Sequence, residues 1–135
     1  MSGAAYLIQA LDDALEQVGE DIILRRVVGT APNQINVDVD CRAKVDAATT
    51  EQIAAGIPAT EMNIILSPTQ INRAQWPGGQ MPALPPFNLD QRVPRAGPTD
   101  KVLLKTRGEA PRAVTFSDPK FVSGELVRIN LRISG

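Results

Sequence analysis

The stretch Ile35-Asn36-Val37-Asp38-Val39-Asp40-Cys41-Arg42-Ala43-Lys44 decides the fold class, because apolar and polar residues alternate along its whole length. A period of two predicts a β-strand with one buried face and one solvated face. The closing stretch, residues 127–133, alternates in the same way. We expect its apolar residues to face a core and its polar residues, Arg128, Asn130 and Arg132, to point outward.

Four shorter stretches outside these two are rich in β-branched or other apolar residues and predict further strands. They span residues 22–28, 62–66, 101–106 and 113–116. The first is joined to the alternating stretch by a short loop at 29–33 and predicts a hairpin, and further turns are predicted at Asp118-Pro119 and Gly124. Six short antiparallel strands favour a mainly β fold, a small antiparallel barrel or sandwich, with an N-terminal α-helix and a long Pro-rich loop.

Helical spacing is confined to three short regions. The first is an N-terminal helix whose apolar stripe repeats every three or four residues and ends at Gly19. That stripe consists of Leu7, Ile8, Leu11, Leu15 and Val18. Ser67 followed by Pro68 predicts a helix with Ser67 as N-cap and Pro68 at the first helical position. Residues 50–55 predict one helical turn.

Residues 77–98 differ in composition, since they contain six of the eleven prolines. Neither a helix nor a strand ladder tolerates this density of proline. The segment nevertheless contains the apolar residues Met81, Leu84, Phe87 and Leu89, which a disordered linker would lack. We interpret it as an extended arm that contacts a partner; the alternative is a flap packed on its own barrel.

The chain has 135 residues, the size of a single domain. We divide this domain, 1–135, into the N-terminal helix (1–19), a first β part (20–76), the Pro-rich loop or arm (77–99) and C-terminal strands (100–135). No N-terminal targeting segment and no apolar run of membrane-spanning length is visible.

Composition argues against most catalysis. Histidine is absent, cysteine occurs once and aromatic residues make up 4%. A disulfide within the chain, a zinc site and a Ser-His-Asp triad therefore cannot be built in the usual way. Asp38 and Asp40 share one strand face, so a carboxylate pair is conceivable, although a solvated face explains them equally. We predict no enzyme activity, no catalytic residue, no metal and no cofactor, and we interpret Cys41 as an inert core residue.

Charge is divided along the chain although the formal net charge is −1. Residues 1–66 hold ten acidic and four basic side chains, and residues 67–135 hold five acidic and ten basic ones. Such a subunit could stack on copies of itself, or the charges could mix in the fold. Arg112, Lys105, Arg128 and Arg132 could form a basic face, or a solvated face that protects a strand edge.

The order of these parts resembles the head-completion, or stopper, proteins of tailed bacteriophages. The resemblance rests on residues 34–39, 62–69 (Met-Asn-Ile-Ile-Leu-Ser-Pro-Thr), 76–79 (Trp-Pro-Gly-Gly), 100–104 and 118–135. It implies a structural ring of six or twelve copies in the virion neck, assembled in the host cytoplasm. The ring would link a portal or adaptor protein to a tail terminator or tail tube protein. Genomic DNA would pass through its channel without sequence-specific contact, and the protein would have no membrane partner.

On this interpretation, part of the Pro-rich segment and of the basic strands would form the partner or subunit interface. The predicted interface residues are Trp76, Met81, Leu84, Phe87, Leu89, Arg92, Arg95, Arg128 and Arg132. Two other functions stay open: a tail terminator ring protein, and a small barrel that binds nucleic acid. The second needs basic and aromatic residues on one sheet face, and this chain has few aromatic residues.

Overall fold

The computed structural model describes residues 3–29, 32–78 and 90–135, and their main element is a closed antiparallel barrel of six strands. The strands are β1 (Glu20–Val28), β2 (Ile35–Ala47), β3 (Met62–Leu66), β4 (Asp100–Leu104), β5 (Pro111–Val122) and β6 (Glu125–Ile133). The helices are α1 (Gly3–Val18), α2 (Thr50–Ala54) and α3 (Thr69–Ala74), and Lys105–Arg107 form a 3₁₀ turn. The predicted mainly β fold is confirmed, and closure makes it a barrel.

Neighbours around the barrel wall run β1-β2-β3-β6-β5-β4, and β4 closes onto β1. The three strands of the first half of the chain are therefore contiguous, as are the three of the second half. Two seams, β1–β4 and β3–β6, join the halves. The strands of the acidic half of the sequence therefore form one side of the barrel, and the strands of the basic half form the other.

The barrel core is built from inward-facing residues of each strand. In β2, Val39, Cys41 and Ala43 are buried, and in β6 Leu126 joins the predicted inward residues. The predicted alternation is confirmed for these stretches. Ile35, the first residue of β2, is the exception at 49% exposed.

Strand β5 runs through Asp118-Pro119, so the turn predicted there is wrong. Residues 111–113 pair with β4, but residues beyond them pair only with β6. Proline is tolerated where one side of a strand has no neighbour, because its missing N–H costs no ladder bond. The turn lies at Ser123-Gly124, both of which have positive φ.

Helix α1 ends as predicted at Gly19, whose N–H donates to the Leu15 carbonyl at 2.9 Å. A Cβ at Gly19 would overlap the carbonyl oxygens of Leu15 and Ala43, so the close approach of helix and β2 requires glycine. Arg42 also ties the helix to β2, since its guanidinium donates to the Leu15 and Glu16 carbonyls at 2.9 and 3.1 Å. A cation at this end suits the helix dipole.

The predicted apolar stripe of α1 is only partly buried. Leu15 is buried and Ile8 and Leu11 are half-buried, but Leu7 and Val18 are 44% and 62% exposed. The stripe is wide, and the barrel contacts only one side of it.

The start of α3 also differs from the prediction by one residue. Pro68 occupies the N-cap position, and Ser67 accepts the Thr69 N–H at 3.2 Å from outside the helix.

Candidate functional site

A buried ion pair lies at the base of the Pro-rich segment. Arg26 in β1 and Asp100 in β4 are each 1% exposed and form two parallel hydrogen bonds of 2.8 and 2.9 Å. Asp100 also accepts the backbone N–H of Arg95 at 2.6 Å and the hydroxyl of Thr99 at 3.2 Å. A buried charge is stable only when it is paired and hydrogen-bonded in this way.

The same guanidinium holds both ends of the segment. On the near side, the Trp76 ring lies 4.7 Å from the Arg26 guanidinium carbon, and its indole N–H donates to the Val37 carbonyl at 2.8 Å. On the far side, Arg26 donates to the carbonyls of Gln91 at 2.6 Å and Val93 at 3.3 Å. Trp76 and Val93 belong to the barrel core. The described residues before and after 79–89 are therefore held by the same buried guanidinium.

Two further predicted interface residues, Arg92 and Arg95, lie beside this base. Arg92 pairs with Asp90 at 2.7 Å and donates to the side-chain oxygen of Asn72 at 2.8 Å. The Arg92 hydrogen bond holds the pKa of Asp90 below its ordinary value. Burial, followed by the charge of Arg26, lowers the pKa of the Arg95 guanidinium. Arg92 therefore helps to organise the far end of the segment through its side chain, and Arg95 does so through its backbone N–H, which donates to Asp100.

Arg128 and Arg132 lie elsewhere, on the outer wall formed by β3, β6 and β5. The Arg132 guanidinium carbon lies 4.4 Å from the Phe116 ring centroid, and its Nε is 3.6 Å from Glu61. Phe116 is 43% exposed. Arg128 donates to Asn130 at 2.9 Å, and among the described residues no carboxylate pairs with it.

These residues line a groove of about 270 Å³, which we name the β5–β6 groove. Its polar and aromatic lining residues are Gln52, Asn63, Phe116, Arg128, Asn130 and Arg132. The volume is just below the ~300–1,000 Å³ of small-molecule pockets. The groove is open, basic on one side and aromatic at its edge, which suits the side chains of another protein.

A second exposed surface lies on α1. Helical spacing places Leu7, Ala10, Ala14 and Val18 on one side of the helix, and all four are exposed. Tyr6, 67% exposed, borders them. We name these five residues the α1 outer face. No other part of the described chain covers it.

Several basic residues of the second half of the chain form ion pairs with acidic residues of the first half. Lys105, Arg107 and Arg132 of the second half pair with Asp40, Glu20 and Glu61 of the first half. These pairs bridge the two sides of the barrel. The acidic residues Asp13 and Glu16 on α1 have no cationic partner within 4.0 Å in the described chain.

The possible carboxylate pair is divided between two cations. Asp38 accepts two hydrogen bonds from Arg25 at 2.9 and 3.1 Å, and Asp40 pairs with Lys105 at 3.2 Å. Both carboxylates lie on the solvent-exposed face of β2, in agreement with the interpretation of this side as a solvated strand face. Cys41 on the opposite face is 3% exposed, and burial, with a smaller effect of Asp40, raises the pKa of its thiol to about 12.

The structure thus separates the predicted interface residues into two groups. Trp76, Arg92 and Arg95 lie at the segment base, where Trp76 is only 3% exposed, whereas Arg128 and Arg132 line the β5–β6 groove. Met81, Leu84, Phe87 and Leu89 fall outside the described residues. Sequence reasoning missed Arg26, although its position in the alternation of β1, between the buried Leu24 and Val28, is a signal for a buried cation.

Comparison of the chain with protein-family models, curated proteins and solved structures found no match. In residues 3–29, 32–78 and 90–135 no three His, Cys, Asp or Glu side chains are grouped to hold a metal ion. The helices of the same residues include none that is long and apolar enough to span a membrane.

Proposed function

We propose that this chain is a structural ring subunit of a tailed-phage neck, which joins the portal side to the tail and helps retain packaged DNA. The observation that supports it most is the Arg26 base, where one buried guanidinium holds the residues on both sides of 79–89. A segment with firmly held ends and apolar residues between them suits contact with a neighbouring subunit or with another neck protein.

The closed barrel is compatible with this role, because closure of β4 onto β1 leaves only stretches such as residues 114–122 of β5 without a neighbour on one side. The sequence resemblance to stopper proteins supplies the biological setting. Stopper, adaptor and tail terminator are all ring proteins of the neck, and we favour the stopper because the resemblance is to that class.

The decisive experiment deletes the gene from the phage genome that carries it and examines the particles by electron microscopy. We expect separate tails and filled or leaking heads that do not join. Complete infectious virions made without the protein would overturn the proposal. A gene neighbourhood that encodes a portal or major capsid protein would support it independently.

Complementation of the deletion tests the segment directly. A chain with Met81→Ser, Leu84→Ser and Phe87→Ser keeps the segment length but removes apolar surface, and burying such a side chain stabilises a contact by roughly 1.5–3 kcal/mol. We expect a folded protein by circular dichroism that is not incorporated into particles. The matched control, Gln80→Ser with Asn88→Ser, should be incorporated normally.

A small barrel that binds nucleic acid is the second candidate. The observation that favours it is the exposed Phe116 ring beside Arg128 and Arg132, because an aromatic residue among cations can stack on a base. A gel-shift assay at low salt with single-stranded and duplex DNA separates the two candidates. Salt-sensitive binding that Phe116→Leu abolishes would favour this second function.

A further inference from the structure

The α1 outer face and the β5–β6 groove have complementary chemistry. The first is an apolar strip with small residues at its centre, Ala10 and Ala14, so a partner surface could approach the helix closely. The exposed polar residues Asp13 and Gln17 lie along its border at Tyr6, whereas Glu16 lies further round the helix. The second is a concave surface with an exposed aromatic ring and an arginine, Arg128, that lacks a carboxylate partner in the described chain.

Pairing of the α1 outer face with itself is disfavoured. In a twofold symmetric contact the same patch lies on both sides of the interface, so the carboxylate of Asp13 would meet a helix that has three acidic residues and no basic one. Such a contact offers no opposite charge to Asp13, and the described chain supplies no cation to it within 4.0 Å. A basic surface is a better match.

We propose that the α1 outer face of one copy packs into the β5–β6 groove of the next copy. Leu7 and the neighbouring apolar residues would cover Phe116, while Asp13 would lie near Arg128. This inference rests on the proposed ring assembly, since it names the surfaces through which the subunits meet.

Such a contact is head-to-tail, because two different patches of one chain meet. A head-to-tail contact leaves one free patch of each kind at the ends and continues until it closes into a ring or extends as a filament. Association through it should weaken with salt, because the charges at its border are exposed and screened.

Cysteine cross-linking tests the geometry with the full chain. One protein carries Ala10→Cys on α1, and the other carries Thr115→Cys, an exposed position beside Phe116. A bis-maleimide is added to each protein alone and to the mixture at the highest soluble concentration. The unsubstituted chain is the background control, since its single cysteine is 3% exposed.

We expect cross-linked dimers in the mixture at several times the yield of either protein alone. A chain with both substitutions should give a ladder of oligomers that ends at the ring size. Cross-linking of Ala10→Cys with itself would show the twofold contact, and no cross-link in any sample would show that copies do not meet here. Either result overturns the inference.

Charge exchange tests the chemistry. Asp13→Arg should weaken self-association about threefold, the size expected when one exposed charge pair turns from attraction to repulsion. Adding Arg128→Glu should restore part of that loss. The control Asp46→Arg makes the same change in net charge at another exposed position and should have little effect. Equal weakening by the control would contradict the named surfaces.

The two proposals fail in different ways. If rings form but the Ala10→Cys and Thr115→Cys proteins do not cross-link, this inference is wrong and the proposed neck function is unaffected. Cross-linked rings that join neither heads nor tails would remove the neck function and leave the contact between copies standing.

Discussion

Arg26 lies against the face of Trp76, with the guanidinium carbon 4.7 Å from the ring centroid. The two residues come from β1 and from the residues after α3, and neither has more than 3% of its surface exposed. A cation over an indole that is shielded from water stabilises by up to about 2 kcal/mol. The contact therefore joins the barrel wall to the near end of the Pro-rich segment.

Removing Arg26 should destabilise the protein strongly. Arg26→Met leaves Asp100 as an unpaired buried carboxylate, so we expect a loss of about 3–5 kcal/mol in the free energy of unfolding. Urea unfolding followed by circular dichroism measures it. The neighbouring Arg25 pairs with Asp38 on the exposed face, so Arg25→Met is the matched control and should lose about 1 kcal/mol or less. Similar losses for both would contradict the buried pair.

Trp76 provides an optical probe of the segment base, since it is the only tryptophan in the chain. At 3% exposure its fluorescence should resist quenching by acrylamide in the native state. Asp100→Asn weakens the ion pair that holds Arg26 over the ring, and it should make Trp76 easier to quench. Asp118→Asn, in an exposed pair with Lys120, should leave quenching unchanged. Native Trp76 as accessible as in the unfolded chain would show that the base is open.

Adjacent residues of β6 should differ sharply in their effect on stability. Leu131 is 2% exposed in the core, so Leu131→Ala should cost about 2–5 kcal/mol through the cavity it leaves. Arg132 lies on the outer face against Phe116 and Glu61, and Arg132→Ala should cost about 1 kcal/mol or less in the isolated chain. Chemical unfolding of both variants checks this, and equal destabilisation would mean that the strand register is wrong.

Cys41 should make stability fall at alkaline pH. Burial raises the pKa of its thiol to about 12 in the folded chain, whereas the ordinary pKa of a free cysteine thiol is 9.0. Between these values the unfolded chain has lost the proton and the folded chain retains it, so raising the pH favours unfolding. The slope approaches about 1.4 kcal/mol per pH unit.

The measurement for Cys41 is the difference between the wild-type chain and Cys41→Ala as pH rises from the lower pKa to the upper. That difference isolates the contribution of the thiol from that of every other titratable group. A constant difference across the range would contradict a thiol buried in its neutral form.

Much of the barrel could be predicted because strand alternation is a local property. Residues 35–44 and 127–133 have the period of two that one buried face imposes, and the bounds of α1 follow from helical spacing and Gly19. The β5–β6 groove could be predicted only in part. Arg128 and Arg132 lie at outward positions of β6, whose alternation is visible in the sequence. Phe116 lies beside Arg132 only because β5 pairs with β6 and contains a β-bulge, which the sequence pattern does not show.

The sequence by itself determined the class of fold, the outward position of the basic residues on β6 and the shortage of catalytic residue types, because periodicity and composition need no tertiary contacts. Only the tertiary structure decided that Arg26 pairs with Asp100, 74 positions away, and that this pair holds both ends of the Pro-rich segment. It also decided which side of α1 stays uncovered, since the helix is apolar around more of its circumference than the barrel can contact. Long-range pairing and the choice among several apolar faces depend on which surfaces meet when the barrel closes, and no local pattern encodes that.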